Sequence, residues 1–324
     1  PVVVTFHGTD LIESDNKLYC GKIGLVSDRA GNFTLQNCDL LISLGCRMAQ
    51  GIVGYREDWF AREAKIIYID NDQYELEKIN THYDLKINMD LNLFFDNYNY
   101  DAKKCEAWLE KCFHWKNKWL FETPNLNDEN GINPYYALKS FFSLAPENKI
   151  TIASSGSIIT VVWHMVNIKA SDKFIISSQG DMGFELTSAI GAQIAEPEKM
   201  VIPILGEGSF QLNIQELQTI VQYKLPIKIL LFNNGAYGAI QITQTNFFKN
   251  KFGVDYSSGL SFPNTENIAN AYGIKYISAK KNEDIETSLQ EFIHCKDAVI
   301  MEVFCCVQGR YPRLNAIKLS LIHI

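Results

Sequence analysis

Two apolar runs, each ending in a short polar signature, constrain this chain more than any other feature. Met200-Val-Ile-Pro-Ile-Leu205 stops at Gly206-Glu207-Gly208-Ser209-Phe210, and Pro226-Ile-Lys-Ile-Leu-Leu-Phe232 stops at Asn233-Asn234-Gly235-Ala236-Tyr237-Gly238. Continuous runs of branched apolar residues bounded by turn formers read as strands buried on both faces. Between them, Ile214, Leu217, Ile220 and Val221 recur at helical spacing within 213–223. Strand, helix and strand make a βαβ unit, and its right-handed crossover sends both strand ends to one edge of a parallel sheet. Glu207 and Asn234 therefore meet, although they are far apart in sequence. The backbone N–H groups of Gly208 and Ser209 open a helix, where the partial positive charge favours a phosphate. A carboxylate, an amide oxygen and a nearby backbone carbonyl are hard oxygen ligands of the kind Mg²⁺ takes while it bridges phosphate oxygens. The pattern predicts a site that holds a diphosphate through a metal. An ordinary glycine-rich turn in an α/β sheet is the plainer alternative.

At these residues the chain resembles the thiamine diphosphate-dependent enzymes, in particular the acetolactate synthase-like branch. That family's signature is Gly-Asp-Gly followed at a set distance by Asn-Asn, and Gly208-Ser-Phe-Gln-Leu-Asn-Ile-Gln-Glu-Leu-Gln-Thr-Ile220 is similar to its continuation. Ser178-Gln-Gly-Asp-Met-Gly183, followed by Ala189-Ile-Gly-Ala-Gln193, resembles the segment that grips the aminopyrimidine ring. Ser155-Gly156-Ser157 stands where the family meets the diphosphate from the opposite side. Asn37-Cys-Asp-Leu-Leu-Ile-Ser-Leu-Gly-Cys-Arg47 and Ala64-Lys-Ile-Ile-Tyr-Ile-Asp70 resemble strands of the middle domain.

The resemblance implies cofactor-binding roles for Ser155, Gly156, Ser157, Gly180, Met182, Gly206, Glu207, Gly208, Ser209, Asn234, Ala236 and Tyr237. It implies Mg²⁺ ligands at Glu207, Asn234 and Ala236. Met182 would wedge beneath the two rings of a bent cofactor; a plain core methionine is the alternative. The implied reaction is decarboxylation or carboligation of pyruvate or a similar 2-oxo acid, in which the cofactor carries the chemistry and the protein supplies orientation and electrostatics. Gln241-Ile-Thr-Gln-Thr-Asn-Phe-Phe248 and Ser258-Gly-Leu-Ser-Phe262 resemble acetolactate synthase-like proteins of carbohydrate pathways, so a keto-sugar acceptor is among the expectations. The family's N-terminal pyrimidine-binding domain has no counterpart in this sequence. The glutamate it would contribute across a dimer interface is missing with it, so the catalytic residue stays unassigned and this stretch is expected to be inactive alone. A homodimer or homotetramer is implied.

Two positions depart from the family pattern. Glu207 stands where the family has Asp, and the added methylene pushes the carboxylate outward, while Mg²⁺ wants oxygens at about 2.0–2.1 Å in near-octahedral geometry. Asp181 places a carboxylate in a glycine turn that is usually small or neutral. Both motivate a second reading, a non-catalytic paralogue that binds thiamine diphosphate or nothing. A third is a nucleotide-binding module in the first part of the chain. Some relatives hold FAD there, with Arg47 the candidate contact and a surface ion pair its alternative; Asp70 and Asp72 follow a strand, but Gly-x-Gly-x-x-Gly is missing upstream and they read as turn residues.

The resulting fold class is α/β, with two doubly wound, mostly parallel sheets flanked by helices. The expected organisation is a partial, Rossmann-like middle domain over 1–91, a connector over 92–132, the cofactor-binding domain over 133–317 and a tail over 318–324. Expected strands are 1–5, 38–44, Lys65–Asp70, 149–153, 274–278 and 298–304, and expected helices are 59–64, 136–142, 268–272 and 285–293. Trp108, Leu109, Cys112, Trp115 and Trp119 make one apolar helical face, read as packing; Leu126-Asn-Asp-Glu-Asn-Gly131 reads as a polar turn. A chain of 324 residues with a net charge of −7 has no basic stripe for nucleic acid, and Lys103-Lys104 and Lys280-Lys281 are short solvated pairs. No apolar run approaches the length of a membrane span. The 8 cysteines lack Cys-x-x-Cys spacing; Cys38, Cys46 and Cys305 are read as buried thiols in apolar strands of a cytoplasmic protein.

Overall fold

A computed structural model describes residues 1–78, 82–97, 105–119 and 131–305. They fall into two compact units, one within Pro1–Glu122 and the other within Thr123–Tyr311. The expected turn at 126–131, apart from Gly131, the pair Lys103-Lys104 and the tail over 318–324 lie outside the described residues. Among the described residues no helix is long and apolar enough to cross a membrane.

Among its described residues the first unit has five strands: β1 (Val2–Val4), β2 (Tyr19–Lys22), β3 (Leu40–Leu44), β4 (Lys65–Asp70) and β5 (Leu85–Asn88). β1 pairs with β2, and β3, β4 and β5 form a second sheet in that order, all parallel. Its helices are α1 (Arg29–Gln36), α2 (Gln50–Val53), α3 (Gln73–Lys78), α4 (Leu91–Asn97) and α5 (Glu106–Lys118). α1 lies against β2 so closely that a Cβ on Gly31 would stand 2.1 Å from the Lys22 carbonyl oxygen. Leu35, Met48, Val53, Phe60, Ile66, Tyr68 and Leu76 form its core. The aromatic face of α5 packs on this unit: the rings of Trp115 and Trp119 stand 5.6 and 4.4 Å from Phe33 of α1, and Cys112 is fully buried.

Three expectations are corrected here. The segment 59–64 is not a helix: a 3₁₀ turn, Glu57–Trp59, precedes it and Ala61 has φ of 43°, a left-handed conformation that halts helical continuation. β3 is not buried on both faces, because alternate side chains point to opposite faces and Leu40, Ile42 and Leu44 are exposed while Ser43 is buried. Cys38, Cys46 and Cys305 lie just outside β3 and the last strand, only partly buried; among the described residues the fully buried thiols are Cys20 on β2 and Cys112.

The second unit is built on one parallel sheet of six strands: β6 (Lys149–Ile152), β7 (Lys173–Ile175), β8 (Met200–Gly206), β9 (Lys228–Asn233), β10 (Lys275–Ala279) and β11 (Val299–Phe304). Their order is β10-β11-β9-β8-β6-β7. Among the described residues eight helices accompany them: α6 (Pro134–Leu144), α7 (Gly156–Met165), α8 (Phe184–Ala195), α9 (Glu207–Leu212), α10 (Leu217–Gln222), α11 (Gly238–Thr243), α12 (Thr265–Tyr272) and α13 (Ile285–His294). Ile150, Ile152, Leu205, Ile229, Leu231 and Ile300 interleave with Leu186, Phe210, Leu217 and Ile220 in the core. The chain runs outward from β6 to β7 and then returns to the other side of β6 as β8, so the order reverses there. In open α/β sheets a reversal of this kind leaves a crevice beyond the carboxyl ends of the strands.

Candidate functional site

The register of β8 and β9 decides the geometry. Leu205 pairs with Leu231 and Gly206 with Phe232, so both strands end side by side and deliver Glu207 and Asn234 to the same edge. The loop after β6 arrives at that edge with Ser155, Gly156 and Ser157, and the turn after β7 with Gly180 and Met182. These four turns surround a cavity of about 440 Å³, and all twelve residues singled out in the sequence line it, together with Pro134, Ile158, Phe232, Ile240, Ile242 and Cys305 among others. The wall is apolar on the side of α11 and carries the polar turns opposite.

Close approach explains one glycine. A Cβ on Gly208 would fall 2.3 Å from Cε1 of Tyr237 and 3.2 Å from Cε of Met182, so only hydrogen at this position lets the two side chains converge. Met182 is 39% exposed and faces the cavity, which removes the plain core methionine as an explanation. The turn that carries it uses φ of 72° at Gly180 and 84° at Gly183, in the region that favours glycine. Asp181 is exposed, and its carboxylate accepts from the Ser177 hydroxyl.

Glu207 and Asn234 meet at one nitrogen. The Ala236 N–H stands 2.9 Å from Glu207 Oε1 and 3.0 Å from Asn234 Oδ1. Asn233 closes the same turn by accepting the Gly235 N–H at 2.9 Å. Burial pushes the Glu207 carboxyl up to about 7, against the smaller opposing pull of nearby backbone N–H groups. Two hard oxygens converging in a buried, polar corner have the donor chemistry of a small divalent cation site. Among the described residues no group of three or more His, Cys, Asp or Glu could hold a metal, so a cation here must complete its shell with neutral oxygens and ligand phosphate.

Sequence reasoning passed over two buried carboxylates behind these turns. Glu185, in the first turn of α8, is fully buried; its Oε1 accepts from the backbone N–H groups of Ser154 and Ser155 at 3.2 and 3.1 Å and from the Ser155 hydroxyl at 3.3 Å. Its Oε2 accepts from the Ser209 hydroxyl at 2.6 Å, and burial raises its pKa. Glu302 on β11 accepts from Asn233 Nδ2 and Thr265 Oγ1, each at 2.7 Å, and from the Tyr276 hydroxyl at 2.5 Å, which steadies the Asn233–Asn234 turn from below. The available signal for each was a lone acidic residue inside an otherwise apolar stretch, Phe184-Glu-Leu and Ile300-Met-Glu-Val. In the first unit, Arg47 pairs with Glu75 at 3.2 Å, and Asp70 and Asp72 accept from backbone N–H groups in a turn, at 3.0 and 2.9 Å.

Residues 154–303 match the family described as thiamine pyrophosphate enzyme, C-terminal TPP binding domain, and residues 1–97 match thiamine pyrophosphate enzyme, central domain. The chain is 31% identical over 312 residues to an acetolactate synthase large subunit of Porphyra purpurea, covering 93% of this chain and 52% of that relative. It is 30% identical over 324 residues to a probable acetolactate synthase large subunit of Methanococcus aeolicus, covering 93% and 53%. Against acetolactate synthase isozyme 2 large subunit of Escherichia coli (strain K12) it is 27% identical over 308 residues, covering 94% and 54%. The chain thus spans about half the length of the curated relatives it matches.

Proposed function

Because the chain belongs to the thiamine pyrophosphate enzymes through its central and C-terminal TPP-binding domains, we propose that its cavity holds thiamine diphosphate and Mg²⁺ for decarboxylation or carboligation of pyruvate or a similar 2-oxo acid. The observation that carries this reading is the convergence of Glu207 and Asn234 on one backbone N–H at the edge where four turns meet. Glu207, Asn234 and the Ala236 carbonyl would hold the cation, and the N–H groups of Gly208 and Ser209 would face the diphosphate. Thiamine diphosphate, when bound, supplies the nucleophilic carbon and the electron sink that 2-oxo acid chemistry requires. The protein's share is orientation. Met182 and Tyr237, brought together over Gly208, form an apolar prop for a bent ligand, and Ile158, Ile240 and Ile242 add apolar surface to the cavity wall.

The names of the relatives support the acetolactate synthase-like branch, while a keto-sugar acceptor rests only on the 241–248 and 258–262 segments. A homodimer or homotetramer is part of the proposal: Phe247, Phe248, Phe252 and Tyr256, just beyond α11, are between 71% and 87% exposed, an apolar display suited to a protein partner. FAD stays an open part of the first unit's reading: Arg47 pairs with Glu75 through Nε, and its side chain is exposed.

One observation favours the non-catalytic reading instead. Glu207 caps the Ala236 N–H from within the fold, a structural duty that needs no metal. Calorimetric titration of thiamine diphosphate, with and without Mg²⁺, tests the metal and cofactor on which the catalytic reading depends. Binding that needs Mg²⁺ and weakens about tenfold in Asn234→Ala is expected, since loss of a charged hydrogen-bonding or metal contact costs about 1–3 kcal/mol. Equal affinity with and without the ion would remove the metal, and no binding at all would remove the cofactor.

A further inference from the structure

We infer that Glu185 is a positioning residue for the cavity: it draws the Ser155 N–H and the hydroxyl protons of Ser155 and Ser209 into the protein, which fixes the loop after β6 and leaves Ser209 to face the ligand through its backbone N–H. This inference rests on the diphosphate-binding reading of the same cavity and names a residue outside its wall. Ser155 and Ser209 line the cavity, while Glu185 is fully buried behind them. All four groups that reach its carboxylate are donors: the Ser154 and Ser155 N–H groups and the Ser155 hydroxyl to Oε1, and the Ser209 hydroxyl to Oε2. Ser209 Oγ in turn accepts the Gly183 N–H at 2.6 Å.

One side chain thus ties together three of the four turns around the cavity: the loop after β6, the start of α9 and the glycine turn that presents Met182. Its placement follows from α8, whose helix begins immediately after Gly183 and so fixes the carboxylate in the first turn, where the helix dipole also favours it. An amide cannot replace it. In Glu185→Gln one acceptor becomes a donor facing Ser209 Oγ, which already accepts from Gly183 and would have to turn its proton elsewhere.

The test is a double-mutant cycle on the full chain, read as affinity for Mg²⁺–thiamine diphosphate and for Mg²⁺ with inorganic diphosphate, well below the melting temperature of each variant. Glu185→Gln and Ser209→Ala cut the same tie from opposite ends. Each is expected to weaken both ligands about tenfold, with the double variant no weaker than either single one, as for partners in one hydrogen-bond network. Losses that multiply to about a hundredfold would overturn the inference, because the two residues would then act separately. Unchanged affinity in a folded Glu185→Gln that merely melts earlier would overturn it too, since that is the signature of a purely structural role. Should Glu185→Gln not fold, Ser209→Ala against Ser209→Thr decides: affinity lost with Ala and kept with Thr supports the tie, and equal affinities refute it. Wild-type protein that binds inorganic diphosphate but not thiamine diphosphate would sink the proposed function and leave this inference standing on the diphosphate data. Binding of neither would sink both.

Discussion

Glu207 is the residue on which most of the site's chemistry turns. Its carboxyl ordinarily titrates at 4.5 and is pushed up to about 7 by burial. Between those values the folded protein holds a proton that the unfolded chain has released, so the unfolded state binds fewer protons and stability falls as pH rises through this window. The loss is on the order of 3 kcal/mol over about pH 4.5 to 7 and is complete above it. A cation must displace that proton, which gives Mg²⁺ affinity the opposite trend: it should climb from pH 6 to pH 8 and level off once the carboxyl is ionised. Glu207→Gln should abolish both dependences. Calorimetry with Mg²⁺ and thiamine diphosphate at several pH values, beside denaturant unfolding at the same values, measures the two slopes together. A flat Mg²⁺ profile in the wild type would take Glu207 out of the metal shell.

At the scale of elements, the closest helix–strand contact in the first unit is the most exacting. Gly31 of α1 admits no side chain, because an added Cβ would stand 2.1 Å from the Lys22 carbonyl oxygen and 2.7 Å from Lys22 N, and backbone on both sides leaves nothing flexible to yield. Gly31→Ala, which would raise helix propensity in an exposed helix, is therefore expected to destabilise this unit by about 1–3 kcal/mol or more as α1 lifts from β2. The measurement is the denaturation midpoint of the first unit, followed by the fluorescence of Trp115 and Trp119, which pack on Phe33 of the same helix. A neutral or stabilising result would mean that the two elements can separate without cost. The glycine at 208 obeys the same rule for a different end, making room for Tyr237 and Met182 at the cavity instead of for a backbone.

At the scale of the whole molecule, two compact units with separate cores should unfold as two transitions, and the ligand should act on only one. Thiamine diphosphate with Mg²⁺ at about a hundred times its dissociation constant should stabilise the second unit by about 2.7 kcal/mol. Scanning calorimetry is expected to show the second unit's transition rising while the first stays in place, and hydrogen exchange should slow in the turns at 206–209 and 233–237. Equal movement of both transitions would contradict the assignment of the whole ligand site to the second unit. Much of this architecture was legible without coordinates. The 200–205 and Lys65–Asp70 runs became β8 and β4 almost residue for residue, and the twelve site residues line one cavity. Strand and helix periods, and the glycine turn at Gly180 and Gly183, are properties of short stretches and of a crossover with a fixed hand, so they can be read from residue order. The helix expected at 59–64 failed because a backbone reversal at Ala61 depends on what surrounds it, and β3 left one face uncovered because alternation alone does not say what packs above. For Glu185 the sequence offered only a lone acid in an apolar stretch, with no sign of its partners. Its partners stand 24 to 31 residues away on two other loops, and only the packing of α8 against β6 and β8 brings their donors to one carboxylate. Local periodicity decided the elements and the edge at which they would meet; which buried charge holds that edge together was decided by contacts that exist only once the sheet has formed.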